Sequence, residues 1–343
     1  MRMTFMLAAA VLAVGLAAGP ARAQSDVVTI YSADGLHDGS PNWFQTQFDA
    51  FTKATGIKVQ YVEAGSAGVV ARVEREKSNP QADVLVTLPP FIQKAAADGL
   101  LEAYTPAAAA AMPAANKDPN GQYYVLVNNY ADWIYNNSVL KEPPASFASL
   151  LAPTFKNKIQ YSTPGQAGDG TAVMMNAFHV FGGKDAGFAY LKKLQTNNLG
   201  PSSSTGRLTA LVNKGEIWVS NGDMQMNLAQ MKDNPNIRIF FPAGPDGQRA
   251  TFSLPYYIAL VHGAPHSENG KKLIDFLLGK EAQSQVADLA MGIPARNDVP
   301  ATGATMQEMQ SLLKGVTIWS PDWSQVVKDL ESDVSEWHQQ TGS

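Results

Sequence analysis

From Val27 to Ala97 the hydrophobic period of the sequence switches repeatedly between that of a strand and that of a helix. This alternation restricts the fold more than any other feature of the chain. Val27 to Tyr31 is a β-branched run. Trp43, Phe44, Phe48 and Phe51 recur at helical spacing until Gly56. Ile57 to Val62 alternates as a strand, Val69 to Lys77 reads as a helix, and Asp83 to Thr87 reads as a buried strand. Pro90 to Ala97 is a helix with proline just inside its start, stopped by Gly99. The pattern βαβαβα predicts a parallel sheet with helices on both faces.

A second α/β set follows. Tyr123 to Val127 and Trp133 to Tyr135 are strand signals, as are Lys158 to Tyr161, Glu216 to Ser220 and Ile237 to Phe241. Gly170 to Phe181, Ala186 to Leu194, Gly206 to Asn213 and Met224 to Met231 are helical. Thr251 to Val261 reads as one long apolar strand, Asn269 to Leu278 and Glu281 to Leu289 as helices, and Trp323 to Trp337 as an amphipathic packing helix. No Ser/Gly-rich linker separates the sets. The expected fold is therefore α/β with two lobes, a ligand cleft between them, and two crossings near Val127 to Trp133 and Arg249 to Pro255. Lobe one would comprise 24–127 plus 254–343, and lobe two 128–253. The 343-residue length agrees with about two domains.

The start of the chain reads as an export signal over 1–23. Arg2 is its basic end, Phe5 to Ala18 its apolar run, and Ala21-Arg22-Ala23 a small-x-small cleavage site before Gln24. A membrane anchor would need a longer apolar run and no cleavage site. There is no cysteine, which removes a lipid anchor, disulfides, thiolate metal sites and thiol nucleophiles. The protein is expected in the periplasm as a soluble monomer whose cores are large enough to dispense with disulfides.

Removing Arg2 and Arg22 leaves 24 basic residues against 30 acidic, a formal −6. No basic block is present, so no nucleic-acid partner is expected. Only 16% of residues are charged, against roughly 25% in ordinary domains. A site in such a chain is expected to use backbone N–H groups and hydroxyls rather than Arg/Lys clamps.

In open α/β sheets ligands lie beyond the carboxyl ends of the strands. Those ends are rich in glycine and small hydroxyl residues here. Tyr31-Ser32-Ala33-Asp34-Gly35 follows the first strand, Gly65-Ser66-Ala67-Gly68 the second, and Thr87-Leu88-Pro89 the third. In the middle segment, Ser162 to Thr171 (with Asp169 and Gly170), Ser202 to Gly206 (with Ser204 and Thr205) and Asn221-Gly222-Asp223 each open a helix. Helix N-termini with glycine and hydroxyls favour a small anion such as phosphate, phosphonate, sulfate or carboxylate. Each loop alone reads equally well as a cap, with Asp169 and Asp223 in good N-cap positions. A carboxylate beside an anion site repels the ligand, so Asp34, Asp169 or Asp223 make sense when the ligand also carries a cation.

Catalytic and metal chemistry is thin. The five histidines are scattered, and His37 with Asp38 is the one local His/carboxylate pair. No nucleophile elbow, HExxH or P-loop occurs, so neither catalytic residues, a metal nor a cofactor is expected. Tyr256 and Tyr257 point to opposite faces if extended and cannot share a metal; one of them lining the cleft is the expected use.

These features, with Ser267 to Gln283, resemble the periplasmic substrate-binding proteins of ABC importers, in the iron/thiamine/polyamine-type cluster. Val28 to Gly39, Gln47 to Gly56, Asn79 to Thr87, Tyr161 to Ala167 with Asp169 to Val173, and Leu208 to Glu216 narrow the likeness to the 2-aminoethylphosphonate-binding members of phosphonate importers. The likeness spans nearly the whole mature chain. One departure is Gly65-Ser66-Ala67-Gly68, where relatives are expected to carry a plainer glycine run. The resemblance implies capture of 2-aminoethylphosphonate by lobe closure, an inner-membrane ABC permease as partner, and no enzymatic step. It implies Ser66, Thr87, Thr171, Ser204 and Thr205 around the phosphonate. Asp34 or Asp223 would take the ammonium, with Tyr31 and Tyr256 as aromatic walls. Rival readings are another small anion or ferric iron on the same fold, and an exported hydrolase.

Overall fold

The computed structural model describes residues 26–39 and 42–343; the export signal expected at 1–23 lies outside them. In chain order the strands are β1 (Val27–Ala33), β2 (Lys58–Ala64), β3 (Val84–Thr87), β4 (Leu101–Glu102), β5 (Tyr124–Asn128), β6 (Ala131–Asn136), β7 (Val219–Asp223), β8 (Ile237–Phe240), β9 (Arg249–Phe252), β10 (Tyr256–Val261), β11 (Ile293–Pro294) and β12 (Val316–Trp319). The helices are α1 (Trp43–Thr55), α2 (Ser66–Arg75), α3 (Phe91–Ala97), α4 (Gly168–Val180), α5 (Lys184–Gln195), α6 (Gly206–Lys214), α7 (Met224–Met231), α8 (Ser267–Leu277), α9 (Lys280–Ser284), α10 (Ala304–Leu312) and α11 (Trp323–Thr341).

Strands β11-β5-β10-β3-β1-β2 form one sheet, with β4 also paired to β10. β1 is parallel to both β2 and β3 and is buried on both faces from Val28 onward. This is why its sequence does not alternate apolar with charged residues, while the edge strand β2 shows exposed and half-buried positions. The sheet is mixed rather than purely parallel, because β10 enters it antiparallel to β3 and β5. Helix α1 covers it with Trp43, Phe44, Phe48 and Phe51. The helix is capped by Asn42, whose side chain accepts from the Gln45 N–H, and closed by Gly56 at φ 75°. A second sheet, β7-β6-β8, is antiparallel and carries a separate core around Trp133, Ile159, Leu191 and Val219.

The two crossings between lobes lie side by side. The Leu254 N–H donates to the Asn129 carbonyl (2.9 Å), and the Thr251 hydroxyl to the Ala131 carbonyl (2.6 Å). The stretch expected as one strand from Thr251 to Val261 is two. β9 pairs with β12, and Ser253-Leu254-Pro255 turns the chain into the large sheet as β10, Pro255 having no N–H for a ladder. Lys158 to Tyr161 is not a strand either; Ile159 makes isolated bridges to Asn198 and Val219. The helix expected from Glu281 to Leu289 ends at Ser284, and a single π turn follows over Val286–Ala290. Helix α11 is the expected packing helix. It seats Leu330 in the core of the large sheet and Trp337 in that of the second.

Candidate functional site

The carboxyl ends of β1, β2 and β3 and the N-termini of α2, α4 and α6 meet where the lobes face each other. Close approach is possible because Gly65 lacks a side chain: a Cβ there would overlap the Ser203 carbonyl oxygen of the opposite lobe. Beside it the Gly168 N–H donates to Ser66 Oγ (3.2 Å) and the Ala67 N–H to the Gln166 carbonyl (3.1 Å). The lobes are therefore in direct contact, in a closed arrangement.

One anionic position is fully built. Asp34 Oδ2 accepts from Ser204 Oγ (2.6 Å), the Thr205 N–H (3.1 Å) and the Gly206 N–H (3.0 Å). Asp34 follows β1 in one lobe, and the three donors open α6 in the other. A carboxylate oxygen thus reaches across the cleft to the positive end of a helix. The Tyr256 hydroxyl lies 3.0 Å from both the Asp34 carbonyl oxygen and Asp223 Oδ2, so its one proton is shared between two acceptors. Gly35, at φ 116°, leaves the space the Tyr256 hydroxyl occupies. Asp223 caps α7 by accepting from the Met226 N–H (2.8 Å).

Carboxylates crowd this junction. Asp38, Asp132 and Asp169 join Asp34 and Asp223, and among the described residues none of the five is in an ion pair. Burial pushes Asp38 up to about 7, helped by the nearby Asp34 charge and opposed by the Gln230 amide on its Oδ2. Burial raises Asp223 to about 6 against the stabilising Met226 N–H and Tyr256 hydroxyl. Asp169 and Asp132 are raised well above the usual carboxylate range, by burial first and the Asp223 charge second. Burial without a protein cation makes the charged form of these carboxyls costly, so each tends to keep a proton unless a cation joins it.

The structure brings together Asp34, Ser204, Thr205, Asp169, Asp223 and Tyr256, with Gly65 and Ser66 alongside. Gly170 packs its backbone against the Ser162 and Thr163 carbonyls. Thr87 Oγ1 donates to the Ser66 carbonyl (3.2 Å). Thr171 Oγ1 donates to the Ala167 carbonyl and accepts from the Gly165 N–H, so its hydroxyl is spent on its own loop. Asn221 pins the Ser162 backbone and hydroxyl. Ser32 donates to the Ala33 carbonyl. Tyr31 departs from expectation as an aromatic wall: its ring lies under Arg72 (4.4 Å) and its hydroxyl donates to Glu76 (3.0 Å), on the helix side of the sheet. Asp38, singled out in the sequence only as a partner of His37, instead joins this junction, and Asp132, Gln225, Asn129 and Asn227 carry no sequence signal. Asn129 accepts from the Gln225 N–H at the crossing (3.0 Å), and Asn227 donates to Asp132 Oδ1 (2.7 Å).

The family model described as bacterial extracellular solute-binding protein matches residues 79–326. The chain belongs to this family. As a solute-binding protein it has a relative in Salmonella paratyphi A, provisionally named a 2-aminoethylphosphonate-binding periplasmic protein. That relative is 59% identical over 328 residues, which are 96% of each chain. The solved periplasmic binding protein P5PA superposes with TM-score 0.79 at 21% identity, covering 92% of this chain and 99% of that one. A periplasmic binding protein from Actinobacillus pleuropneumoniae, solved with fructose-6-phosphate, gives TM-score 0.78 at 20% identity and covers 92% and 98%. The solute-binding protein described here therefore has the two-lobed periplasmic binding-protein fold. Its cleft is lined by charged and polar groups from both lobes.

Proposed function

We propose that this solute-binding protein captures 2-aminoethylphosphonate between its lobes in the periplasm and delivers it to an inner-membrane ABC permease. The observation that carries the reading is the α6 N-terminus: one hydroxyl and two backbone N–H groups converge on a single anionic oxygen at the lobe interface. A phosphonate oxygen has the charge and acceptor geometry to take those donors in place of the Asp34 carboxylate. The buried carboxyls around it, none of them in an ion pair among the described residues, favour a ligand with a cationic end as well. A zwitterion with a phosphonate and an ammonium meets both demands; phosphate or a plain carboxylate meets one. The 59% identity to the Salmonella relative over nearly all of both chains supports the same ligand.

The mechanism is population shift by closure, because only the closed form presents both lobes' groups to the ligand. The lobes divide as 26–127 with the chain after 254, against 128–253, and α10 and α11 pack back across the second lobe. Residues 1–23 serve as the cleaved export signal. Ferric iron is the poorer reading, since among the described residues no three His, Cys, Asp or Glu side chains are placed to hold a metal.

Calorimetry with 2-aminoethylphosphonate, ethylphosphonate, phosphate and ferric citrate tests the proposal. The aminated phosphonate should bind most tightly. Tight binding of ferric citrate or phosphate, with none of the aminated phosphonate, would overturn it.

A further inference from the structure

The sequence points to Asp34 or Asp223 as the partner of a ligand cation, yet both already hold protein donors. Asp34 Oδ2 takes three donors, while Asp223 takes the Met226 N–H on one oxygen and the Tyr256 hydroxyl on the other. Two other carboxylates are different. Asp132 is 3% exposed and Asp169 is 5% exposed. Asp132 Oδ2 and Asp169 Oδ1 are buried and have no hydrogen-bond partner. Such orphaned acceptors are costly in a folded protein and call for a missing donor.

Both residues line the same small cavity, of about 10 Å³, closed by Trp133, Asn176 and Phe241. That volume is about the size of one water-sized group. No Lys, Arg or His lines it. Asn176 is held by its neighbours, its amide donating one N–H to the Ala250 carbonyl and accepting from Trp319. Asn227 holds Asp132 in place through Oδ1, which leaves Oδ2 as the unused atom. Thr205 connects Asp169 with the anionic position: its N–H serves Asp34, and its side chain interacts with Asp169.

Resting on the function proposed above, we infer that Asp132 and Asp169 form the ammonium subsite, the cavity between them receiving the –NH3+ head while the α6 N-terminus holds the phosphonate. An ammonium supplies the N–H donors that both oxygens lack and neutralises charge where no protein cation does. Its compact head matches the cavity; a phosphonate is too large and of the wrong sign.

The test compares 2-aminoethylphosphonate with ethylphosphonate by calorimetry on the wild type, Asp132→Asn and Asp169→Asn. Losing a buried partner of the ammonium should cost the aminated ligand roughly 30-fold or more in affinity. Ethylphosphonate should change by less than about threefold, the size of a surface-level perturbation. An unchanged preference for the amine in either folded variant overturns the inference. The wild type gives a second measurement that needs no variant. The N,N,N-trimethyl analogue carries a head larger than the cavity and should bind no better than ethylphosphonate; binding equal to the parent compound also overturns the inference. A wild type that binds neither phosphonate sinks the broader functional reading instead, so the two failures are distinct.

Discussion

The two ends of the cleft treat charge in opposite ways. At the α6 N-terminus three donors meet one carboxylate oxygen, and every partner is satisfied. At the Asp132–Asp169 cavity two residues of one lining each keep a buried oxygen without a donor. The first end is complete because the protein supplies its own anion. The second is incomplete because the protein supplies no cation. The difference teaches that the polarity of the ligand is encoded in what the closed form lacks as much as in what it contains.

Four perturbations break or sharpen this contrast. The largest should come from Gly65→Val, which removes the contact on which both ends depend. Its side chain would collide with the Ser203 carbonyl and hold the lobes apart. Affinity for 2-aminoethylphosphonate and ethylphosphonate should fall together by about 100-fold or more, read by calorimetry. Retained affinity for either would show that the two ends do not need closure.

Next is the pH dependence of the donor-rich end, where Asp38 lies buried beside Asp34. Asp38 is raised to about 7 by burial and by Asp34. Its folded form binds a proton between about pH 4 and 7 where its unfolded form does not, so stability falls as pH rises through that window and levels off above it. Relative to Asp38→Asn, the ligand-free wild type should lose about 2 kcal/mol across the window, allowing for solvent screening, as followed by urea unfolding. A pH-independent difference between the two would contradict the crowding.

A smaller effect is expected for Asp34→Asn. It weakens the internal competitor at α6 by replacing a charge-assisted hydrogen bond with a neutral one. Ethylphosphonate affinity should rise about tenfold. A fall would mean that Asp34 holds the ligand rather than its place. Tyr256→Phe should act least, costing about 1 kcal/mol of urea stability by removing the hydroxyl shared by Asp34 and Asp223. It should leave the amine preference set by Asp132 and Asp169 intact.

The sequence makes the donor-rich end readable and hides the other. Ser204, Thr205, Asp34 and Asp223 sit in strand-end loops, where glycine and hydroxyl residues concentrate and topology brings ligands. Asp132 lies inside β6, where a lone acid carries no motif; its role depends on Asn227 and on Asp169, 37 positions away in the chain. Tyr31 misleads because strand parity alternates: it turns toward Arg72 on α2. The two-lobed plan is legible from the alternating periods and the absent linker. The antiparallel insertion of β10 is not, since it follows from the turn at Pro255, whose direction no local pattern states.

Helix α11 gives the molecule a third tie. Leu330 anchors it in the core of the large sheet, while Trp337 anchors it in that of the second. Lys184 in α5 grips it through Asp329 (2.8 Å) and Asp333 (2.7 Å). Two neighbouring strands alone would let the lobes both swing and twist, like a door on a single pin. A stay fixed at a distance from that pin suppresses the twist and shortens the swing. Any opening of the jaws has to shift this helix against one of the two cores it is seated in.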